Sequence, residues 1–443
     1  MSIGELVAWF IGWPLIIYVS IIGLVYTVAL KGIQFRRFFY SWRITLFPPK
    51  SFDGKKSGDV TPIQAFINTL STGVGNGSIA GMATAIFAGG PGATLWVLVF
   101  GILLMAVRFA EVYLSVLYGA RQKGASTLGG PMLYLKAAPG RQLLACAYAA
   151  SCLLLGLTLG SSMQANSIAV SMEATWGVST WITATFLTLF ILYVLFGGAK
   201  RVTQVTTKLV PLNLAVFFVA TFSLLVFHYA SLWSALQLIW HSAFHALAIK
   251  GGMIGFSVQQ AVRLGMARSI MATESGLGTA AILFGYTGSA NAMRNALMSM
   301  IGTFISACVC SLVGLCIVVS GVWHSGLDST ALTGAAFNTV FCNTGGAIVT
   351  FLSLSFGASV MVGFVYITRA VWVFLTNGRW DYGFILIYAA SATIGALMKI
   401  AIVWRIADIV TALMLLINLF GLICLMPELM RAVAADEKKM FES

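Results

Sequence analysis

Apolar runs of about 20 residues follow one another along almost the whole chain. A helix of that length crosses the hydrocarbon core of a bilayer, because each residue adds about 1.5 Å along the axis. Only 9% of the residues are charged, whereas soluble domains carry about 25%. The runs therefore predict an all-α polytopic membrane protein embedded in the lipid bilayer, and they exclude a soluble globular domain.

Eleven of these runs are long enough to span the membrane. The predicted transmembrane helices lie near residues 6–30, 62–88, 93–119, 142–171, 178–197, 208–229, 250–270, 292–322, 346–375, 382–402 and 407–427. Another stretch, from Ser231 to Leu247, repeats its apolar and aromatic residues at helical spacing and is predicted to lie flat in the outer interface. Its His241 and His245 are spaced as metal ligands could be, but without a third ligand nearby we expect packing rather than a metal site.

Lysine and arginine set the predicted orientation, since cytoplasmic loops of membrane proteins are rich in both. If the N-terminus lies outside, 22 of the 26 basic residues fall on the cytoplasmic side, most densely between Lys31 and Lys56. This distribution explains the net charge of +13 without a nucleic-acid partner. We predict a multi-pass protein of the plasma (inner) membrane, with an outer N-terminus and a cytoplasmic C-terminus.

The second run is interrupted at its middle by Gly73, Gly75 and Gly77. Each glycine costs a helix about 0.5 to 1 kcal/mol relative to alanine, so three alternate glycines favour an unwound turn. Unwound backbone at membrane depth must be buried in protein or line a wet cavity, which is where secondary transporters bind their ligands. The alternative is that these glycines allow close helix packing.

A second glycine cluster, Gly251, Gly252 and Gly255, opens the seventh run. After the first helix, the spans form two sets of five, and each set begins with a glycine-interrupted helix. Because five is odd, the sets cross the membrane in opposite senses, which predicts a 5+5 inverted repeat with two discontinuous helices plus one extra N-terminal helix. Close helix packing explains Gly251 to Gly255 about equally well. The predicted parts are the first helix and its basic loop (1–60), the first repeat (61–230), the interfacial helix (231–249), the second repeat (250–428) and a cytoplasmic tail (429–443).

The sequence contains no constellation of catalytic residues, such as paired carboxylates, HExxH or a serine with a base. All four histidines fall near the predicted outer face. We therefore predict a protein that is not an enzyme and needs no cofactor. A channel is less consistent with two inverted halves than a carrier that works by alternating access.

Several ordered motifs are similar to those of the alanine or glycine:cation symporter family. These are TPIQAFINTL and GVGNGSIAGMATAIFAGGPGATLW from Thr61 onward, RFAEVYL, GGPMLYL, MQANSIA from Met163, and AVRLGMARSIMATESGLGTA from Ala261. The resemblance implies a leucine-transporter-type fold and the import of a small neutral amino acid with sodium. It leaves open a proton-coupled or uncoupled carrier, and a sensor that binds an amino acid without transporting it.

The resemblance places the amino acid at the first break. The half-helix that resumes near Ser78 would present free N–H groups and its positive end to a carboxylate. Where the family commonly has phenylalanine and tryptophan, this chain has Met253 and Gly363. Their smaller or more flexible side chains predict room for a substrate larger than alanine. The predicted substrate-binding residues are Gly75, Asn76, Gly77, Ser78, Gln164, Met253, Phe256 and Gly363.

The same resemblance implies a sodium site between the first broken helix and the ninth span. Carbonyls would come from Thr72, Gly73 and Val74, and hydroxyls from Ser355 and Ser359. The family tends to have two adjacent threonines at the ninth span. This chain has alanine at the first of those positions, so one expected hydroxyl is missing.

Charged residues inside the spans need partners, because each costs about 2.5 to 3.5 kcal/mol at a helix centre. Arg108 and Glu111 are three residues apart and are predicted to pair on their own helix. Glu274 is predicted to form an inner gate with Arg263 or Arg268, with a static structural ion pair as the alternative.

Overall fold

The computed structural model describes residues 12–47, 60–121, 129–245, 258–289 and 291–441. Within these ranges every regular element is a helix. The first half forms α1 (Trp13–Ala29), α2 (Ile33–Arg36), α3 (Phe38–Leu46), α4 (Pro62–Gly73), α5 (Asn76–Gly89), α6 (Ala93–Ala120), α7 (Pro131–Tyr134), α8 (Arg141–Leu155), α9 (Met163–Trp176), α10 (Thr180–Phe196), α11 (Gly198–Phe227) and α12 (Tyr229–Phe244). The second half forms α13 (Val258–Thr273), α14 (Thr279–Gly285), α15 (Ala292–Val319), α16 (Ser329–Phe341), α17 (Gly345–Thr376), α18 (Asp381–Leu397) and α19 (Ile400–Phe441).

Six helices of the described ranges are long and apolar enough to cross a membrane. They are α6, α8 continued into α9, α11, α15, α17 and α19. The helices α1, α10 and α18 are apolar but shorter. The predicted multi-pass helical class is confirmed, whereas the count of eleven and the inverted repeat stay predictions.

The first break lies where the alternate glycines predict it. Helix α4 begins with a capping box, in which Thr61 and Gln64 each bind the other's backbone N–H. It ends at Gly73, and α5 begins at Asn76. Val74 and Gly75 between them have extended backbone. The polypeptide therefore leaves the helix for two residues and then resumes it.

A second break lies at 274–278, between α13 and α14 and just beyond the predicted end of the seventh span. Glu274, Gly276 and Gly278 have φ angles of 52°, 91° and 78°. Glycine adopts such angles freely, whereas a glutamate does so at a cost of about 1 to 3 kcal/mol. This break was not predicted, and the span was predicted to end too early, near residue 270. The cluster of Gly251, Gly252 and Gly255 lies outside the described residues.

The two broken helices lie side by side and run in opposite directions. A Cβ on Gly89 at the end of α5 would stand 3.2 Å from the carbonyl oxygen of Gln260 near the start of α13. At the other end, a Cβ on Gly73 would stand 2.9 Å from the carbonyl oxygen of Ala272. Such close approach requires residues without side chains, as in other membrane helix interfaces. The packing brings the two breaks together near the middle of the bundle.

Helices outside the predicted spans cover one end of the bundle. Helix α12, predicted as an interfacial segment, receives a hydrogen bond of 3.0 Å from Gly92 N to Ser242 Oγ. Helix α16, which the sequence analysis missed, contacts α5 through Thr333 Oγ1 and Ile79 O at 3.4 Å.

The residues predicted as a tail, 429–443, continue the last helix, because α19 extends to Phe441. There, Glu437 pairs with Arg36 at 2.7 Å and with Arg37 at 2.9 Å. The last turns of α19 are therefore tied to the basic region that follows α1.

Candidate binding site

A small cavity lies at the first break. Its volume open to a water-sized sphere is about 10 Å³, about what one water molecule needs. It is lined by Thr72, Gly73, Gly75, Gly77, Leu159, Met163, Gln164, Met271 and Val360. The residues come from both halves of the first broken helix, from α9 and the segment before it, and from α13 and α17. In this conformation the walls would have to move before an amino acid could enter.

The break turns two opposite helix ends toward this cavity. The last carbonyls of α4 and the first N–H groups of α5 have no partner within their own helices, as at any helix end. The N-terminus of α5 at Gly75 carries no side-chain cap. The partial positive charge of α5 and the partial negative charge of α4 are thus both available at the site, as a zwitterion requires.

Gln164 binds the free end of α5. Its Oε1 accepts a hydrogen bond of 3.2 Å from Asn76 N, and its Nε2 donates to Leu159 O at 3.2 Å. Leu159 belongs to a π-helical segment, Gly156–Ser162, that joins α8 to α9. Wide π turns occur often at functional sites. Gln164, predicted from its motif, therefore lies in the cavity wall and occupies a donor that a ligand could use.

Gly75 is required by the closeness of α17. A Cβ at this position would stand 2.5 Å from Val360 Cγ2 and 3.3 Å from Gln164 Oε1. At Gly77 the nearest atom to such a Cβ is Met163 Cε, at 4.0 Å. The first glycine allows close packing, whereas the second borders open space.

Asn76 and Ser78 lie beside the cavity rather than in its lining. Both are fully buried, and neither side chain has a hydrogen-bond partner among the described residues. The side-chain nitrogen of Asn76, Nδ2, lies 2.7 Å from where a Cβ of Gly357 on α17 would stand. Buried polar groups without partners are uncommon and costly. The hydrogen-bonding capacity of the side chains at the start of α5 is therefore incompletely used in this conformation.

Gly363 is not part of the cavity wall. The position of its missing side chain is filled by α4, with Thr72 Cγ2 at 2.8 Å and Ser71 Oγ at 3.0 Å from an ideal Cβ. The expectation that this glycine enlarges the cavity is therefore wrong, because it serves close packing of α17 on α4. Met253 and Phe256, the other two side chains predicted to border the substrate, lie outside the described residues.

The two hydroxyl residues predicted for a cation lie one turn apart on α17 and contact different helices. Ser359 meets the end of α4, where Ser71 Oγ donates to Ser359 O at 2.6 Å and lies 3.0 Å from Ser359 Oγ. Ser355, one turn away, donates instead to Asn213 Oδ1 on α11. Thr72 and Gly73 line the cavity, whereas Val74 is buried outside its lining. Ser359 is thus near the first break and Ser355 is engaged elsewhere.

The predicted inner gate is not formed. Arg263 and Arg268 lie on α13 alongside α5, in the half of the bundle toward Gly89, and not at the end where Thr61 begins α4. The Arg268 guanidinium stacks on Trp404, 4.6 Å from the ring centre. Within the described ranges no ion pair joins either arginine to Glu274. The prediction of a gate at the end of the bundle is wrong, because both arginines precede the break at 274–278 and lie alongside α5.

Arg108 and Glu111 make hydrogen bonds at the second break and do not form an ion pair with each other. Arg108 donates to Thr273 O, the last residue of α13, and its Nε lies 3.3 Å from Ser275 Oγ. The carboxylate of Glu111 reaches the same break through Asn418, whose Nδ2 donates both to Glu111 Oε1 and to Gly276 O. A cation at a helix C-terminus is favoured by the local dipole. The prediction of an ion pair along one helix is therefore wrong.

Two further polar side chains, from α19 and α8, donate hydrogen bonds to backbone carbonyls of the second break. Asn418 Nδ2 donates to Glu111 Oε1 at 2.7 Å and to Gly276 O at 2.9 Å. Tyr148 OH donates to Leu277 O at 2.8 Å. Neither Asn418 nor Tyr148 was among the residues predicted for a site. The alternation of Gly276 and Gly278, which repeats the spacing of the first break, was the signal that could have located them.

A model of the sodium:alanine symporter family matches residues 2–442. The chain belongs to that family. An uncharacterized transporter of Haemophilus influenzae is 33% identical, over 97% of this chain and 93% of its own. The sodium/alanine symporter AgcS of Methanococcus maripaludis is 30% identical, over 95% of this chain and 92% of its own. The probable sodium/glutamine symporter GlnT of Bacillus subtilis is 26% identical, over 93% of this chain and 85% of its own.

Membership in the sodium:alanine symporter family confirms the resemblance drawn from the motifs. It makes this chain a multi-pass membrane transport protein and indicates transport rather than enzymatic chemistry. The names of its relatives include alanine and glutamine, so the family description alone does not select one amino acid for this chain.

Proposed function

We propose that this member of the family is a secondary active transporter that imports a small neutral amino acid together with sodium by alternating access. The observation that carries the proposal is the unwound pair Val74 and Gly75 beside a cavity in the middle of the bundle. Broken helices at such a position are where secondary transporters hold substrates.

The substrate carboxylate binds at the N-terminus of α5. There it replaces Gln164 Oε1 as the acceptor from Asn76 N, and it gains the favourable end of the helix dipole. Freed from this bond, Gln164 can turn its amide toward the substrate. The ammonium group faces the carbonyl end of α4 at Thr72 and Gly73. In this way one break satisfies both charges of the zwitterion.

The substrate side chain faces an apolar wall of Leu159, Met163, Met271 and Val360. Two of these four are methionines, whose flexible side chains adapt to ligands of different shape. A cavity of about 10 Å³ must open for any amino acid. We therefore propose a closed state here, with opening by movement of these side chains and of the half-helices that carry them.

Uptake into proteoliposomes tests the proposal. Purified protein should accumulate labelled alanine when sodium is high outside, and replacing sodium with potassium or choline should abolish the accumulation. A panel of unlabelled amino acids then ranks the substrates by competition. If alanine and glycine compete best, a substrate larger than alanine is excluded.

Two alternatives have support, one from a missing hydroxyl and one from the closed cavity. Ala358 lacks the hydroxyl that the family tends to supply to its cation site, which favours a carrier coupled to protons or uncoupled. The closed cavity also suits a sensor that binds an amino acid without moving it. Accumulation driven by a pH gradient in sodium-free buffer would support the first alternative. Saturable binding without flux would support the second.

A further inference from the structure

A short basic segment follows α1 and contains α2 (Ile33–Arg36) and α3 (Phe38–Leu46). Seven of the residues from Lys31 to Lys56 are lysine or arginine, and Asp53 is the one acidic residue among them. Such an excess of positive charge raises the local concentration of anions at a surface. The segment is therefore suited to an anionic partner.

The ion pairs of α2 indicate its depth in the bilayer. The hydrocarbon core is about 30 Å thick, which a helix crosses in about 20 residues. Counted from Ala93, where α6 begins, that length ends near Tyr113, whose OH donates to Asp436 Oδ2 at 2.8 Å. The next residue, Glu437, pairs with Arg36 at 2.7 Å. The segment of α2 and α3 therefore lies where the hydrocarbon gives way to the lipid headgroups.

Helix α3 turns an apolar face away from the protein. Phe39 is 84% exposed and Leu46 is 61% exposed, and their spacing of seven residues places them on one face. On the other side Ile44 is buried, and the ring of Phe38 packs edge to face on Phe304 of α15, with ring centres 5.0 Å apart. An amphipathic helix at this depth buries its apolar face at the boundary between headgroups and acyl chains.

Arg43 lies in the middle of this apolar face. It follows Phe39 by four residues and precedes Leu46 by three, so the three side chains are neighbours on the helix surface. The residue is exposed, and its side chain has no hydrogen bond or ion pair with any residue that the structure describes. A guanidinium on its long apolar stem can extend from such a face to the level of the headgroups.

We propose that α2 and α3 bind the headgroup of an anionic phospholipid, with Arg43 as the ligand of its phosphate. A planar guanidinium donates two parallel hydrogen bonds to phosphate oxygens. Phe39 and Leu46 contact the acyl chains, and the exposed Lys31 adds positive charge to the same segment. The binding of amphipathic helices increases with buried apolar area and with attraction to anionic lipids, and α3 supplies both.

The excess of basic residues selects the class of lipid. A zwitterionic lipid carries the same phosphate beside a cationic amine, which the basic segment repels. An anionic lipid such as phosphatidylglycerol carries no such amine, so its negative charge is not compensated. This site is separate from the cavity at the first break and does not depend on the proposed transport function.

Thermal unfolding of the purified full-length protein in detergent micelles tests the site. Phosphatidylglycerol, or phosphatidylcholine with the same acyl chains, is added at rising mole fraction. Phosphatidylglycerol should raise the unfolding temperature of the wild type at a lower mole fraction than phosphatidylcholine does. Arg43→Gln should need about fivefold more phosphatidylglycerol for the same rise, because one basic residue near an anionic surface changes affinity by about that factor.

Two controls separate a lost lipid contact from a damaged fold. Arg43→Gln should match the wild type in pure detergent and in its response to phosphatidylcholine, because the side chain has no partner among the described residues. Arg405→Gln removes another exposed arginine, near the start of α19 and therefore at the opposite end of that helix from Glu437. It should keep the wild-type response to phosphatidylglycerol.

The proposal is overturned if Arg43→Gln and the wild type respond equally to phosphatidylglycerol, or if the wild type responds equally to the two lipids. If Arg43→Gln does not fold, Arg43→Lys keeps the charge without the paired donors. It should need more phosphatidylglycerol than the wild type, and an unchanged requirement would overturn the proposal.

Two other occupants of the face are tested in parallel. Inorganic phosphate should not reproduce the stabilisation, and if it does, the site takes a soluble anion instead of a lipid. Phe39→Ala should leave the oligomeric state of the protein unchanged. A wild-type dimer that Phe39→Ala dissociates would assign the face to a second copy of the chain and would also overturn the proposal.

Discussion

The substitution Gly75→Ala probes the packing that shapes the first break. The backbone of Gly75 is extended, with φ of −139° and ψ of −162°, and any residue can adopt it. The cost of the substitution must therefore come from the new methyl group. That group would stand 2.5 Å from Val360 Cγ2, whereas carbon atoms in contact are normally about 3.5 to 4.0 Å apart.

The methyl group and Val360 must separate by about 1 Å or more to reach normal contact. Overpacking of this kind costs typically about 1 to 3 kcal/mol. Because α17 and the start of α5 both border the cavity, we expect the shift to disturb the substrate site as well. A loss of about 1.4 kcal/mol in binding corresponds to a tenfold weaker affinity, so alanine affinity should fall about fivefold to a hundredfold.

Equilibrium binding of labelled alanine, together with thermal unfolding, measures both effects. The double variant Gly75→Ala with Val360→Ala removes the Cγ2 atom, so it should recover much of the loss. Gly77→Ala is the matched control, because its nearest neighbour lies at 4.0 Å, and its unfolding temperature should not fall. Wild-type stability and affinity in Gly75→Ala, or a double variant no better than the single one, would refute this reasoning.

Three further substitutions test other parts of the structure. Gln164→Leu removes the acceptor from Asn76 N and the proposed substrate contact, so alanine binding should weaken by about 1 to 3 kcal/mol in an equilibrium assay; unchanged affinity would remove Gln164 from the site. Arg108→Gln takes a charged donor from Thr273 O, and thermal unfolding should show a loss of about 1.5 to 3 kcal/mol; an unaltered unfolding temperature would mean that the second break does not need it. Glu437→Gln breaks only partly exposed ion pairs and should cost about 0 to 1 kcal/mol in the same measurement; a larger loss would give the end of α19 a greater role in stability.

The first break could be read from the sequence because its cause is local. Three alternate glycines from Gly73 to Gly77 weaken a helix whatever surrounds them, and the structure has the break at Val74 and Gly75. The class of the protein was equally accessible, since hydrophobic length and low charge follow from solvation by lipid.

The second break shows where local reasoning failed. Gly276 and Gly278 carry the same alternation, but the predicted seventh span ends near residue 270, before these glycines. The backbone around Glu274, which is left-handed at that residue, accepts hydrogen bonds from Arg108, Tyr148 and Asn418, and these lie in distant parts of the chain. No local propensity predicts a glutamate in that conformation.

The amino-acid sequence alone determined that this chain is a bundle of membrane helices with an unwound turn near Asn76, because burial in lipid and glycine content act on each segment separately. Only the tertiary structure decided which residues meet at the two breaks. It placed Gly363 against α4, Ser355 against Asn213, and Arg268 beside α5. The physical reason is that a side chain's partner depends on how neighbouring helices rotate and approach, and hydrophobic periodicity in one apolar helix leaves that rotation undetermined.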